Sequence, residues 1–301
     1  IKKFIFLNFK LYKIFLSLKK LSKLILEKKI HTIYAIGIYP SFLASILKIF
    51  YNIKIITTIR SHQDYTSKIK YFILIFFNHY MSDIIETNSI SIYENYKKKF
   101  FFNKKIKNLN NIVEDIIFKG KKNKLIDDKK INHKKIIGMA LNIRPIKDPT
   151  LISNIINKII KSKRFIFVIV GRDNNNFWKY YKKKHKNNIF WFKSLKQEKM
   201  KNFYKTIDIL LITSKSEGSP NIVPEAFSNN VPVVSVPIVA MKGLVKHNYN
   251  GLISKNRSAD EVVKCIFQAR KDLKRLSINS KIFFKKKFIL KKTIRKISSY
   301  F

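Results

Sequence analysis

One cysteine, seven glycines and seven prolines are all that 301 residues hold of these types, and 18 acidic side chains stand against 63 Lys and Arg. The lone Cys265 excludes an internal disulfide framework; set in a helical pattern, it reads as a core thiol. The six histidines show no metal-ligand spacing and no acidic pair resembles a metal site, so no metal is expected. Long hydrophobic runs are missing as well. A membrane span needs roughly 20 apolar residues. Residues 32–47 are uncharged but hold Gly37, Pro40 and Ser41, and Tyr71 to Phe77 is too short. Near the start, lysines run through the apolar part instead of preceding it, unlike a secretory leader, so a cytoplasmic location is expected.

What is plentiful narrows the class. A hydrophobic content of 46% argues against disorder, and the length suffices for two α/β domains with substantial cores. The formal charge of +45 points to nucleic acid or an anionic membrane. Two features temper that. Only eight of the 63 basic residues are Arg, and the abundance of Lys, Ile, Asn and Phe beside scarce Gly and Pro is the signature of A/T-rich codons. The basic residues are also spread over every segment, loops included, so no nucleic-acid partner is expected; the remaining charge fits work against an anionic membrane face.

The chain is organised around Leu210 to Val236. Ile207 to Thr213 and Val231 to Val236 are short apolar runs of the buried-strand kind, separated by a turn and one helix of about ten residues. A β-loop-α-β unit of this length implies parallel strands, and ligands of such sheets bind at the carboxyl ends of the strands. The turn Glu217-Gly218-Ser219-Pro220 falls there. Gly218 lets backbone approach a ligand closely, Ser219 or Pro220 can open the helix, and the first helical amides then face a phosphate. Pro224 is tolerable because first-turn amides have no intrahelical partner. Glu217 and Glu225 can face one ligand, accepting hydrogen bonds from the hydroxyls of a sugar or ribose; the alternative is a loop charge and a solvated helix charge.

Along the chain, Leu11 to Lys29 is an amphipathic basic helix, suited to an anionic lipid surface and equally to packing on a sheet. His31 to Gly37 and Ile53 to Ile59 read as strands around a helix from Ser41 to Phe50. Gly120 to His133 is a polar linker. Lys135 to Leu141, Phe165 to Gly171 and Ile189 to Phe192 are strands, Leu151 to Lys161 and Asp260 to Leu276 helices, and Lys281 to Phe301 a basic apolar tail.

The arrangement S-x-x-E-G-x-P-x-x-x-x-E-A followed by V-P-V-V-S resembles the donor site of retaining glycosyltransferases of family 4, carried by Ser214, Glu217, Gly218, Pro220, Glu225, Ala226, Pro232 and Val233. The resemblance implies an α/β GT-B fold, two Rossmann-like domains facing across a cleft. It places an acceptor-side domain at 1–118, a linker at 119–134, a donor domain at 135–280, and at 281–301 a helix crossing back to the first domain. Arg60, followed by Ser61, His62 and Asp64, matches a position usually held by His or Arg and is expected on the cleft wall facing the transferred sugar, with His62 a weaker candidate; surface pairing with Asp64 is the alternative. Asn111 to Glu114 resembles the N-G-V-D turn that closes the first domain, with Ile112 and Glu114 as departures.

Lys147 matches the family's diphosphate-binding lysine, while Asn142 stands in the arginine's place and Arg144 two residues later supports it. Gly171 is expected at the mouth of the cleft. Trp191 or Phe192 would lie by the nucleotide base, with core packing as the alternative. The strand and glycine-rich loop that open the family's first domain have no counterpart, so that domain is expected to be incomplete.

The implied activity is retaining, metal-independent transfer of a hexose or N-acetylhexosamine from a nucleoside diphosphate sugar to a glycan or lipid-linked acceptor in surface polysaccharide assembly, at the cytoplasmic membrane face. No cofactor is expected beyond that donor substrate. Lys147, Arg144 and the amides of Ser219, Asn221 and Ile222 would hold the leaving diphosphate, Glu225 the ribose and Glu217 the sugar. Two rivals stand: a basic binding protein for nucleic acid or acidic lipid, and a transferase-like fragment that binds nucleotide without turnover.

Overall fold

In the computed structural model, residues 11–60, 68–99, 105–109, 111, 113, 125–126, 131, 133–173, 176–288, 294–295 and 297–299 are described. The chain divides into two compact units, 1–110 with 291–301 and 111–290. His62, Asp64, Ile112, Glu114 and most of the linker lie outside the described residues.

The first unit alternates helix and strand: α1 (Leu11–Lys28), β1 (Thr32–Ile36), α2 (Ile38–Phe50), β2 (Lys54–Ile59), α3 (Lys68–Met81), β3 (Ile84–Thr87), α4 (Ile90–Lys99) and β4 (Ile106–Asn108). Among the described residues its four strands are parallel in the order β1-β2-β3-β4, with Thr32 opposite Lys54 and Ile56 opposite Ile84. Helix α2 begins at Ile38, ahead of the expected start at Ser41. Pro40 fits its first turn because no intrahelical bond is asked of that nitrogen; the Ser41 amide makes the first bond, to the Gly37 carbonyl at 3.0 Å. Helix α1 buries Ile25 against β1 and α2 with Leu18 and Leu21 beside it, yet leaves Phe15, Leu16 and Leu26 exposed among lysines.

The second unit contains β5 (Lys135–Ala140), α5 (Pro149–Lys161), β6 (Phe165–Val170), α6 (Phe177–Lys184), β7 (Ile189–Phe192), α7 (Gln197–Thr206), β8 (Ile209–Ile212), α8 (Ile222–Ser228), β9 (Val233–Ser235), β10 (Gly251–Ile253), α9 (Ala259–Lys271) and α10 (Leu273–Lys287). The sheet is parallel, in the order β10-β9-β8-β5-β6-β7. Both of its faces are covered, and β6 shows why its sequence has no polar alternation. Phe165, Phe167 and Ile169 enter a core with α5, α6 and α9, while Ile166, Val168 and Val170 enter the opposite one with α7, α8 and α10. In α5, Leu151, Ile152, Ile155, Ile156 and Ile159 form one buried stripe at helical spacing.

Two helices depart from expectation. Helix α8 has seven residues instead of about ten, because Asn230 adopts φ 62° and closes it: the Asn230 amide bonds to Phe227 and the Val231 amide to Ala226. The helix expected over Asp260 to Leu276 is two helices broken at Asp272, and residues 281–287 continue the second of them.

Candidate functional site

Strands β5 and β8 are hydrogen-bonded neighbours, but the chain leaves them in opposite directions, through β6 to β7 and through β9 to β10. The loops beyond their carboxyl ends therefore diverge, which is where doubly wound sheets hold ligands. These loops are residues 141–148 and 213–221.

They are tied together by backbone and side chain. The Lys215 amide donates to the Ile146 carbonyl at 2.7 Å, and Thr213 Oγ1 to the Lys147 carbonyl at 2.9 Å. Pro145 opens a single 3-10 turn that places Lys147, and Asp148 ends it at φ 60° while capping α5 through the Leu151 amide at 3.3 Å. Across the crevice, the Lys147 ammonium pairs with Glu217 Oε1, which also accepts from Ser214 Oγ at 2.6 Å. Arg257, from the loop before α9, completes the frame. Its Nη2 donates to Asp148 Oδ2 at 2.7 Å and to the Thr213 carbonyl at 2.9 Å, and its Nη1 to the Ser214 carbonyl at 2.9 Å.

Beyond Glu217 the chain passes Gly218, Ser219 and Pro220, all half-buried, and enters α8 with Asn221 as its N-cap. The helix thus opens one residue later than Pro220. Gly218 is not at positive φ, so its backbone conformation does not require glycine. Among the described residues the amides of Ser219, Asn221 and Ile222 carry no protein hydrogen bond, whereas Pro220 has no N–H to offer and the Val223 amide is spent on the Pro220 carbonyl. Asn111 Nδ2 steadies the turn from outside, donating to the Ser219 carbonyl at 3.3 Å and to Asn221 Oδ1 at 2.5 Å. Glu225 lies in the first turn of α8, and its Oε2 accepts from the buried Tyr204 hydroxyl at 2.5 Å. Burial, reinforced by the Glu225 carboxylate, raises the Tyr204 pKa, which keeps that hydroxyl a donor.

The other residues singled out in the sequence fall around this frame. Arg144 is exposed, immediately before the 3-10 turn. Asn142 accepts from the Arg172 amide at 2.8 Å, joining the ends of β5 and β6. Gly171 follows β6 at φ 151°, where a Cβ would stand 1.8 Å from the Leu141 carbonyl oxygen. Trp191 packs partly buried against the core and donates Nε1–H to the Gly171 carbonyl at 2.8 Å. Arg60 belongs to the first unit, at the end of β2: its Nη2 lies 3.1 Å from Glu86 Oε1 and 3.4 Å from the Tyr34 hydroxyl. Glu86 is almost fully buried, and desolvation raises its pKa.

Chemically, Lys147, Arg144 and open amides suit an anion, while Glu217 and Glu225 suit hydroxyls beside it. Among the described residues no group of three or more His, Cys, Asp or Glu converges as metal ligands, and no helix is long and apolar enough to cross a membrane. Sequence reasoning missed Arg257 and Tyr204. A usable signal existed for Arg257: in a chain that uses Lys almost everywhere, an Arg marks a place where a planar, multiply donating head is needed. Tyr204 carried no comparable signal.

Solved structures share the architecture. HepE of Anabaena in complex with UDP is 13% identical, superposing with a TM-score of 0.78 over 94% of this chain and 80% of that one. A glycosyltransferase of Rickettsia africae is 17% identical, with a TM-score of 0.78 over 99% and 83%. Sucrose-phosphate synthase of Thermosynechococcus elongatus is 12% identical, with a TM-score of 0.76 over 97% and 79%. These likenesses establish the GT-B fold, an α/β architecture of two parallel-sheet domains. No protein of curated function matches the chain in sequence. Residues 121–281, which carry the Lys147 loop, the Glu217 turn and the Glu225 helix, match the family described as Glycosyl transferases group 1. With that match spanning more than half of the chain, the protein belongs to the group 1 glycosyltransferases.

Proposed function

We propose that this glycosyltransferase is a retaining, metal-independent enzyme of family 4 that moves a hexose or N-acetylhexosamine from a nucleoside diphosphate sugar to a glycan or lipid-linked acceptor. The carrying observation is the Lys147–Glu217 pair at the divergence of β5 and β8, flanked by open amides and by Glu225. Complexes of HepE with UDP and with UDP-glucose support a donor of this class.

In this reading, a diphosphate competes with Glu217 for the Lys147 ammonium. Arg144 and the Ser219, Asn221 and Ile222 amides share the load, and Glu217 is released toward sugar hydroxyls. Glu225 accepts from the ribose, Gly218 admits the ligand close to backbone, and Trp191 offers only its ring to the base since its N–H is bonded to Gly171. As the bond from the anomeric carbon to the phosphate oxygen breaks, negative charge grows on the diphosphate, and the cation and amides stabilise it where it develops. The acceptor hydroxyl adds on the same face and passes its proton to the departing phosphate, which needs no protein base. Arg60 would face the transferred sugar. Helix α1, with Phe15, Leu16 and Leu26 exposed among lysines, supports contact with an anionic membrane face; the setting proposed for it is surface polysaccharide assembly on the cytoplasmic side.

The test is a titration with UDP, GDP, UDP-glucose, UDP-N-acetylglucosamine and GDP-mannose in metal-free buffer, following melting temperature and sugar-nucleotide hydrolysis together. Stabilisation by one nucleotide with hydrolysis of its sugar supports the proposal and names the donor. Stabilisation without hydrolysis or transfer to any glycan favours the nucleotide-binding fragment, and no stabilisation by any of them refutes the donor site.

A further inference from the structure

Tyr204 takes no part in the reaction as drawn, yet its surroundings are those of a working group. It lies in the last turn of α7, 3% exposed, and its hydroxyl donates to Glu225 Oε2 at 2.5 Å, spanning the two helices on either side of β8. The Tyr204 hydroxyl, kept protonated by burial, gives its proton to this bond, and Glu225 Oε2 accepts it. Glu225 is half-buried, and among the described residues its Oε1 has no protein partner.

An untethered glutamate at a helix surface turns freely about its last torsion. One whose Oε2 is tied from behind presents Oε1 and its remaining lone pairs in a set direction, as an acceptor. We infer that Tyr204 is a positioning residue that holds Glu225 as an oriented hydrogen-bond acceptor and so makes the site select ribonucleotides over their 2′-deoxy counterparts. Hydroxyls satisfy such an acceptor; a C–H does not, and a site left with an unanswered buried acceptor discriminates strongly. This inference rests on the proposed role of Glu225 at the ribose and extends it to a residue that touches no ligand.

The experiment measures equilibrium binding of UDP and 2′-deoxy-UDP to the wild-type chain and to Tyr204→Phe, Glu225→Ala and the double variant, each first checked for a cooperative melt. Wild type is expected to favour UDP by about tenfold or more, in line with one charge-assisted hydrogen bond. Tyr204→Phe should lose most of that ratio through weaker UDP binding, keep wild-type affinity for 2′-deoxy-UDP, and have no effect once Glu225 is Ala. A Tyr204→Phe variant that keeps the wild-type ratio overturns the inference while leaving the ribose role of Glu225 standing, provided Glu225→Ala abolishes the ratio. Equal weakening of both nucleotides, or the same loss with and without Glu225, also overturns it, since Tyr204 would then act through packing alone. If wild type binds both nucleotides equally, or Glu225→Ala keeps the preference, the ribose reading itself falls and this inference with it. Should Tyr204→Phe fail to melt cooperatively, Tyr204→His, whose shorter ring cannot bring its N–H to the position of the hydroxyl, is measured in its place: a wild-type ratio overturns the proposal, and a lost ratio with no further effect in the Glu225→Ala background supports it.

Discussion

Replacing Arg257 with Ala should loosen the candidate site without touching any group proposed to meet the ligand. The guanidinium makes bonds of 2.7, 2.9 and 2.9 Å to Asp148 Oδ2 and to the carbonyls of Thr213 and Ser214. Hydrogen bonds to charged groups contribute roughly 1.5–3 kcal/mol each in mutational series. The simple sum overstates the case, because the side chain of Arg257 is 31% exposed and that of Asp148 16%, so water replaces part of what is lost. A net cost of about 2–3 kcal/mol is expected, a drop in melting temperature of roughly 5–10 °C for a domain of this size. Loops no longer held in place must be ordered by the ligand, so UDP affinity should fall about tenfold. Arg257→Lys keeps the charge but cannot span three acceptors and should recover less than half of either loss. Calorimetric melts with and without UDP read both quantities. An Arg257→Ala variant that melts within about 1 °C of wild type and binds UDP normally would refute the account, since a loss that small lies below one hydrogen bond.

Lys147→Ala and Glu217→Ala should each lower sugar transfer by about 100-fold or more with the fold intact, as removal of one preorganised electrostatic group does elsewhere; wild-type rates in either sink the assignment. Gly171→Ala should destabilise by about 3 kcal/mol or more, because φ is 151° and the new Cβ would meet the Leu141 carbonyl at 1.8 Å; an unchanged melt rules out that close approach. Burial first, and Lys105 second, hold the pKa of His79 below its ordinary 6.5. The folded state thus keeps His79 neutral while the unfolded chain takes up a proton. Its contribution to stability is present above the unfolded value and is lost as pH falls through 6.5 toward the folded value. Urea midpoints measured from about pH 7.5 to about pH 5.5 should fall, and His79→Gln should flatten that slope; an identical slope in the variant refutes it.

Signals confined to a few neighbouring residues were readable. The run FIFVIV announces a strand buried on both faces, and the apolar spacing of Leu151 to Ile159 announces a helix with one buried stripe. Glu217, Gly218 and Glu225 stand in one short segment, so their common end of the sheet followed from strand polarity alone. Boundaries were less legible where a rule has an exception. Pro40 suggested a helix start after itself, though prolines fit a first turn; Asn230 ended α8 early through a left-handed residue; and Asp272 breaks α9 from α10 with neither Gly nor Pro to announce it.

By its own order the chain determines the alternation of strand and helix, the parallel sheets that such alternation demands, and the turn that brings Glu217 and Glu225 to one end of a strand. Periodicity and short-range sterics act on adjacent residues, so they can be read there. Tertiary structure alone decided which partners those groups have. Arg257 meets Asp148 across 109 positions, Lys147 meets Glu217 across 70, and Tyr204 meets Glu225 across 21, on a separate helix beyond β8. Nothing in local spacing encodes such meetings. They arise because the strand order puts β8 beside β5 instead of beside β7, and only then do three distant loops share one set of hydrogen bonds.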